Sequence, residues 1–458
     1  MSLNNELLHL LKDKVGENHV QLPDDISLDY THDELAGGVG CMPEAVVEVK
    51  TAGEVSAVMK LCAAEGVAVT VRGAGTGKAG GSVAVKGGVV LSVKGMNQIL
   101  DFDETASTLT VQPGVLLQDV KAEAAKHGLC YPPDPGEQTA TVGGNASTNA
   151  SGPSAVKYGT TKDYVVDATL VLADGSTVKL SDKPEYAAVL GSEGTLAVIT
   201  ELTLKLVPKP GYDAILLLPF LDSESCVSAA RKIIEAGYDP AVAEYLDTDM
   251  VEYAGAVTGN PVFPVTTTDG ERVGATLMLT LEGADEDSVM EQMETLAELA
   301  EELECLDILV GDTPTMKRDF WAAHDAFHTS TETAKCSGEL NIDVPAEHIA
   351  ELVAFAKALG GERGLKVMAY AHVGSGGVHI HAVADMAKDE FAAAMSALAD
   401  AVYAKCVEFG GDIVGEYGVG YAKIAAFKAL EPEKYAAFAA VKAGFDPNGV
   451  LNPGKVVE

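Results

Sequence analysis

Tyr131-Pro-Pro-Asp-Pro-Gly-Glu-Gln-Thr-Ala-Thr-Val-Gly-Gly-Asn145 is the stretch on which the reading of this 458-residue chain turns. It runs on to Asn149-Ala150-Ser151-Gly152, so that Thr141 to Gly152 holds glycines, asparagines and small side chains. A loop of that composition can lie flat against a pyrophosphate, with the asparagines supplying fixed hydrogen bonds. Upstream, Arg72-Gly73-Ala74-Gly75-Thr76-Gly77 follows an apolar strand expected over 68–72. Successive amides in such a loop can form a nest for phosphate oxygens. A dinucleotide fingerprint of the Rossmann type needs a helix to start at the loop. Here the chain continues Lys78-Ala-Gly-Gly-Ser82 toward another strand, which excludes that site and a P-loop. Gln112-Pro113-Gly114-Val115 and Gly191-Ser192-Glu193-Gly194-Thr195-Leu196 complete an ordered series. It reads as a surface for a large phosphate-bearing cofactor, because backbone approaches a ligand most closely where side chains are absent.

Around these motifs the pattern alternates. Leucines at 3, 7, 8, 10 and 11 predict a short amphipathic helix over 3–15. Strands are predicted over 45–50, 68–72, 88–93 and 108–111, with helices over 52–65 and 116–127, the latter closed by Gly128. Strands over 165–172, 177–180 and 197–206 follow, and Val207-Pro208-Lys209-Pro210 marks a domain boundary. Beyond it, strands over 214–218, 275–281, 340–344, 366–373 and 378–383 alternate with helices over 223–236, 285–303, 315–333, 346–359 and 387–409. This predicts an antiparallel sheet with helices on one face, an α+β arrangement.

The formal charge is −36, from 32 basic and 68 acidic side chains. So acidic a chain is not expected to bind nucleic acid or an anionic membrane. Seven scattered cysteines without a Cys-x-x-Cys pair fit a reducing cytoplasm and exclude an iron–sulfur cluster built from cysteine runs in this chain. No signal peptide and no membrane-spanning apolar run is expected.

The series resembles the FAD-linked oxidase family, whose FAD domain is of the vanillyl-alcohol oxidase or p-cresol methylhydroxylase type. Within it the chain is similar to the branch of D-lactate dehydrogenases and glycolate oxidase large subunits. Tyr131–Asn145, Lys157-Tyr158-Gly159 and Gly191–Thr195 carry the resemblance most specifically, and it covers about Met42 onward. It implies an N-terminal segment over 1–41 and a two-part FAD domain over 42–210. It further implies an α+β, ferredoxin-like antiparallel cap domain over 211–430 and a tail over 431–458 that returns to the FAD domain. The FAD contacts it implies are Arg72, Gly73, Ala74, Gly75, Thr76, Gly77, Pro113, Gly114, Pro133, Asp134, Thr141, Gly143, Gly144, Asn145, Thr148, Asn149, Gly152, Tyr158, Gly159, Glu193, Gly194, Ile199 and Asn452. Members that attach FAD covalently through the first loop place a histidine where Thr76 stands, so non-covalent FAD is expected.

Downstream, His372-Val-Gly-Ser-Gly-Gly-Val-His379 flanks a glycine turn, and Gly415-Glu416-Tyr417-Gly418 forms another. Histidine and carboxylate are ordinary ligands for Zn²⁺ or Mn²⁺. The resemblance makes His372, His379 and Glu416 the ligands of a divalent metal that orients a hydroxy acid. The implied reaction is oxidation of a small D-2-hydroxy acid, of the D-lactate or glycolate class, by hydride transfer to flavin N5. Several positions depart from the family. Ser375 and Gly377 replace an Asp and an Asn, Tyr417 replaces the histidine expected as base, and His324 replaces a carboxylate-binding arginine three residues after Trp321. Tyr417 and His324 are therefore the candidate catalytic groups, with His328 a further candidate base. The departures leave open a changed substrate or a non-catalytic, FAD-binding relay subunit. Relatives imply an electron-transfer flavoprotein or iron–sulfur subunit as electron acceptor, and a homodimer stays open.

Overall fold

The computed structural model describes residues 3–458, all but the Glu301 side chain among them; residues 1 and 2 of the expected 1–41 segment lie outside. The chain divides into two compact units. The first takes the residues up to Ser151, Thr160–Lys209 and Glu416–Glu458. The second takes Gly152–Gly159 and Pro210–Gly415.

The first unit holds two sheets. In one, the strands Ala45–Glu48 and Val69–Arg72 both lie parallel to Val89–Ser92, with Val20–Gln21 antiparallel at the edge. Their Val- and Leu-rich sequences suit a pleated surface buried on both faces. The helix Ala52–Glu65 makes the crossover. Thr51 and Glu54 form its capping box, and Gly66, in the left-handed region at φ 62°, stops it. Val55, Val58, Met59 and Cys62 of that helix close over Val47, Val69 and Leu91. Removing one such buried side chain costs about 2–5 kcal/mol, so Met59→Ala would loosen this layer. The second sheet is antiparallel, in the order Ile99–Asp103, Thr108–Val111, Val198–Lys205, Val165–Val171, Thr177–Lys179. The carboxyl-terminal segment returns to the first sheet, where Val69 N donates to Val450 O (2.7 Å) and Asn452 N to Val69 O (2.6 Å).

The second unit is built on a seven-stranded antiparallel sheet in the order Leu309–Gly311, Tyr212–Phe220, Ala275–Gly283, Val242–Asp247, Lys366–His372, Gly377–Ala384, Cys336–Asp343. The pattern predicts helices on one face; the structure buries both. Ile215 and Leu217 join the helices Thr248–Thr258 and Pro314–Glu332 in one cluster. Leu216 and Leu218, which must point the other way, are equally buried. The helices Ser223–Glu235 and Glu286–Glu302 contribute nothing to that cluster yet pack on the same strands. The unbroken run Ala214-Ile-Leu-Leu-Leu218 is the trace of this two-sided burial.

Candidate functional site

In the first unit the glycine motifs meet around a short helix. Thr141 to Gly152, expected as a flat loop, instead holds the helix Val142–Thr148, whose N-cap Thr141 accepts a hydrogen bond from Gly144 N. Small residues are chosen there by close contact. A Cβ on Gly143 would stand 2.4 Å from Pro113 Cβ, and one on Gly73 2.2 Å from Thr141 Oγ1. Gly143 N donates to Pro113 O, Gly191 N to Ala146 O, and Glu193 N to Ser147 O. The helix thus brings together the loop at Arg72, the turn at Pro113-Gly114 and the Glu193-Gly194 turn. Asn149 ends it in the left-handed region, and Thr148 Oγ1 bonds back to Gly144 O. Asn452 joins them, its Nδ2 donating to Glu193 O (2.7 Å) and Gly81 O (3.1 Å).

Several of the sequence-selected residues brace this arrangement. Buried Arg72 donates to the carbonyls of Asp29 and His32 and to Ser82 Oγ. Gly75, at φ 86°, lies on its guanidinium, where a Cβ would fall 2.0 Å from Nη2. Buried Glu193 accepts from the amides of Val419 and Gly420, both at 2.7 Å. Burial pushes its carboxyl above the usual range, against those two amides. Ile199 is buried in the Val198–Lys205 strand, Pro133 is buried, and Asp134 pairs with Lys121. Gly77 O accepts from Glu34 N, and Ala74 and Thr76 are half-buried in the same loop. Gly152, Tyr158 and Gly159 fall in the second unit, where Tyr158 Oη donates to Glu282.

These residues fit a flavin nucleotide. Buried Asn145 Nδ2, on the helix that gathers the loops, has no partner. Among the described residues no backbone carbonyl takes the amides of residues 73–77. A buried donor left unpaired is costly unless a ligand satisfies it, and phosphate and ring oxygens supply the needed acceptors.

The second unit holds a different kind of cluster. His372 ends the Lys366–His372 strand and His379 lies in Gly377–Ala384. The hairpin between them needs its glycines: Gly376 is at φ 85°, and a Cβ on Gly374 would meet Val156 Cγ2 at 2.1 Å. Both rings are buried, and their Nε2 atoms stand 3.2 Å apart. Two nitrogens about 2.0–2.1 Å from one tetrahedral ion are separated by roughly 3.3 Å. Each outer nitrogen faces a carboxylate, His372 Nδ1 to Glu244 Oε1 at 2.6 Å and His379 Nδ1 to Glu339 Oε1 at 3.1 Å. A carboxylate behind a histidine is how metal ligands are oriented and made more basic. The donor set therefore fits a divalent ion at the two Nε2 atoms. Tyr370 stacks on His379 with centroids 4.3 Å apart, and the Asn341 amide nitrogen is 3.3 Å from His379 Nε2.

Glu244 also takes His324, whose Nε2 lies 3.2 Å from Glu244 Oε2. Burial opposes the charge on this wholly buried carboxylate, but His372 and His324 more than offset it and hold its pKa below the usual range. Burial likewise works against a charged His324. Its bonds to Asp325 and Glu244 prevail, and its pKa is raised. His328 faces Glu339 and Glu332. Sequence reading missed Glu244, Glu339 and Tyr370. A carboxylate inside the apolar run Val242-Ala-Glu-Tyr-Leu246 was the available signal, since glutamate is almost never fully buried unless paired.

Glu416 and Tyr417 belong to the first unit. Ser151 Oγ donates to Glu416 Oε1 (2.9 Å), and Lys78 Nζ stands 5.2 Å from the Tyr417 ring centre. Gly415, the residue before Glu416, ends the second unit and presses on Asn341: a Cβ there would fall 2.2 Å from its Oδ1.

Comparison with known proteins identifies the frame. An FAD binding domain model matches residues 43–181, and the model of the FAD linked oxidases' C-terminal domain matches 209–456. The chain belongs to the FAD-linked oxidase family. This FAD-linked oxidoreductase is 38% identical to the D-lactate dehydrogenase of Anaerostipes hadrus, covering 98% of the chain and 97% of that protein. It is 33% identical to the glycolate oxidase subunit GlcD of Bacillus subtilis, covering 91% and 89%. Among solved structures, p-cresol methylhydroxylase superposes with a TM-score of 0.79 at 18% identity, over 99% of this chain and 96% of that one. That likeness shows the α+β fold with its p-cresol methylhydroxylase-type FAD domain. No helix among the described residues is long and apolar enough to cross a membrane.

Proposed function

We propose that this FAD-linked oxidoreductase dehydrogenates a small D-2-hydroxy acid of the D-lactate or glycolate class. The observation that carries the reading is the His372–His379 pair, with converging Nε2 atoms and a carboxylate behind each ring. Relatives named for D-lactate and glycolate support it. FAD, when bound, supplies the acceptor for the hydride leaving C2, at its N5. A divalent ion, Zn²⁺ or Mn²⁺, when bound, supplies the Lewis acidity that lowers the pKa of a substrate hydroxyl.

The chain's own residues do the rest. His372 and His379 would hold the ion, and Glu244 and Glu339 would fix both rings. The Arg72–Gly77 loop, Pro113-Gly114, the Thr141–Asn149 segment, Glu193-Gly194 and Asn452 form the FAD frame, and Thr76 leaves the flavin non-covalent. Tyr417 or His324 takes the hydroxyl proton. A phenol is a weak base near neutrality unless strongly shifted, so Tyr417 would give a rate that climbs toward high pH. His324, raised by its carboxylates, would give a rate that rises through a pKa above the ordinary histidine value. Electrons leave to an electron-transfer flavoprotein or an iron–sulfur subunit, and the protein works in the cytoplasm.

The test is anaerobic mixing of purified holoprotein with a panel of D- and L-2-hydroxy acids. Loss of the oxidised-flavin absorbance with D-lactate or glycolate supports the reading. No reduction by any acid would leave a relay subunit or a changed substrate, the second being favoured by His324 and Tyr417 where the family has arginine and histidine. Acid precipitation that leaves flavin on the protein would overturn the non-covalent assignment.

A further inference from the structure

A second group of ligand atoms stands on the same sheet face as His379, within the second unit. His381 lies two residues along the same strand, so both rings leave the same face. Glu339 is the direct cross-strand partner of His381 in the antiparallel register, which puts those two side chains side by side. His328 reaches them from the Pro314–Glu332 helix. His328 Nδ1 is 3.1 Å from Glu339 Oε2, and His381 Nε2 is 3.6 Å from Glu339 Oε1. One ligand atom from each of the three lies within 4.8 Å of the others.

The hydrogen bonds fix how these groups present themselves. Thr331 Oγ1 donates to His328 O (2.8 Å), so toward His381 Nδ1, 3.3 Å away, it can only accept. His381 Nδ1 then carries a proton, and its Nε2 faces Glu339 Oε1. His328 Nε2 faces Glu332 Oε1 at 3.1 Å, which leaves its Nδ1 toward Glu339 Oε2. Two imidazole nitrogens and a carboxylate thus converge in a place where His381 is 1% exposed. Ligands at about 2.0–2.2 Å from a tetrahedral ion stand roughly 3.3–3.5 Å apart, and the histidines lie near that spacing from the carboxylate, one at each of its oxygens.

We propose that His328, His381 and Glu339 bind a second divalent first-row cation, Zn²⁺ by preference, separate from the His372–His379 ion. Two histidines and one carboxylate match the donor set such an ion takes. Half-exposed His328 provides the entry path. The ion ties the Pro314–Glu332 helix to the sheet and fixes Glu339, whose Oε1 also holds His379 Nδ1. Loss of the second ion is therefore felt at the first.

The experiment uses FAD-loaded protein stripped with a chelator and titrated with Zn²⁺, followed by calorimetry and elemental analysis. Wild type is expected to take two ions per chain. His328→Ala and His381→Gln, each with wild-type flavin content as the check on folding, should lose one of them or bind it at least about 100-fold more weakly. His379→Ala should lose the other. A single wild-type ion, bound equally well by His328→Ala and His381→Gln, overturns the second site and leaves the first intact. A single ion lost in those two variants but kept in His379→Ala establishes the second site and removes the metal from the proposed function. A wild type that binds no ion overturns both.

Discussion

The glycine frame of the first unit and the histidine cluster of the second prepare for ligands in opposite ways. In the first, side chains are removed so that backbone can come close: Gly73, Gly143 and Gly114 each lie where a Cβ would fall within 2.5 Å of a neighbour. Its buried charges, Arg72, Glu193 and Lys455, are engaged in holding loops and the returning tail. In the second unit the cluster is built from side chains, and the buried Glu244 faces two of its histidines. Glu244 is completely buried yet held below the usual carboxylate pKa by two histidines. Damage to the first unit should therefore appear as lost flavin, and damage to the second as lost metal and lost turnover with flavin retained.

The sharpest way to break this division is His379→Ala. Turnover is expected to fall by about 10³-fold or more, in line with removal of metal-ion chemistry, while flavin content stays near wild type. Flavin loss in parallel with metal loss would erase the distinction between the units. Gly143→Ala is the converse. Its methyl has no room against Pro113, and overpacking of this kind costs about 1–3 kcal/mol. FAD affinity is expected to drop by roughly 5–150-fold, with the metal content of the second unit unchanged on elemental analysis. Glu244→Gln keeps shape but removes the charge behind His372, and metal affinity is expected to fall about 10–100-fold, read by competition with a chelator.

The effect furthest from turnover concerns Lys455, buried beside Thr70 and Asn452. Burial lowers its pKa from 10.5 to about 7. Between those values the unfolded chain binds more protons than the folded one, so stability rises with pH through that window, and the full penalty applies below it. Lys455→Met should flatten the rise in Tm between pH 7 and 10. An unchanged slope would show that Lys455 is not the titrating group.

Legibility in the sequence followed the same division. Close-packed backbone leaves glycine, proline and asparagine at fixed intervals along one chain segment, so Arg72–Gly77 and Tyr131–Asn145 pointed to the FAD binding domain that matches residues 43–181. Even there the helix Val142–Thr148 was hidden, because Gly-Gly-Asn-Ala-Ser-Thr has poor helix propensity and the segment is held by contacts with Pro113 and with residues 191–193. The cluster in the second unit was half legible. His372 and His379 flank one turn and show as a motif, whereas Glu244 and Glu339 come from strands far off in sequence that the sheet order alone brings beside them. The strand carrying Glu244, Val242–Asp247, ran straight into a helix at Thr248 and gave no turn signal to separate the two.

The central claim is that a metal held by His372 and His379 serves dehydrogenation of a D-2-hydroxy acid by the flavin. It is tested most directly by anaerobic single-turnover reduction with D-lactate, comparing chelator-stripped protein with the same sample reloaded with Zn²⁺ or Mn²⁺, FAD content held equal. Rapid loss of oxidised-flavin absorbance in the reloaded sample, and a rate lower by orders of magnitude in the stripped one, is the expected result. Equal rates with and without metal, or no reduction in either sample by D-lactate or glycolate, would contradict it.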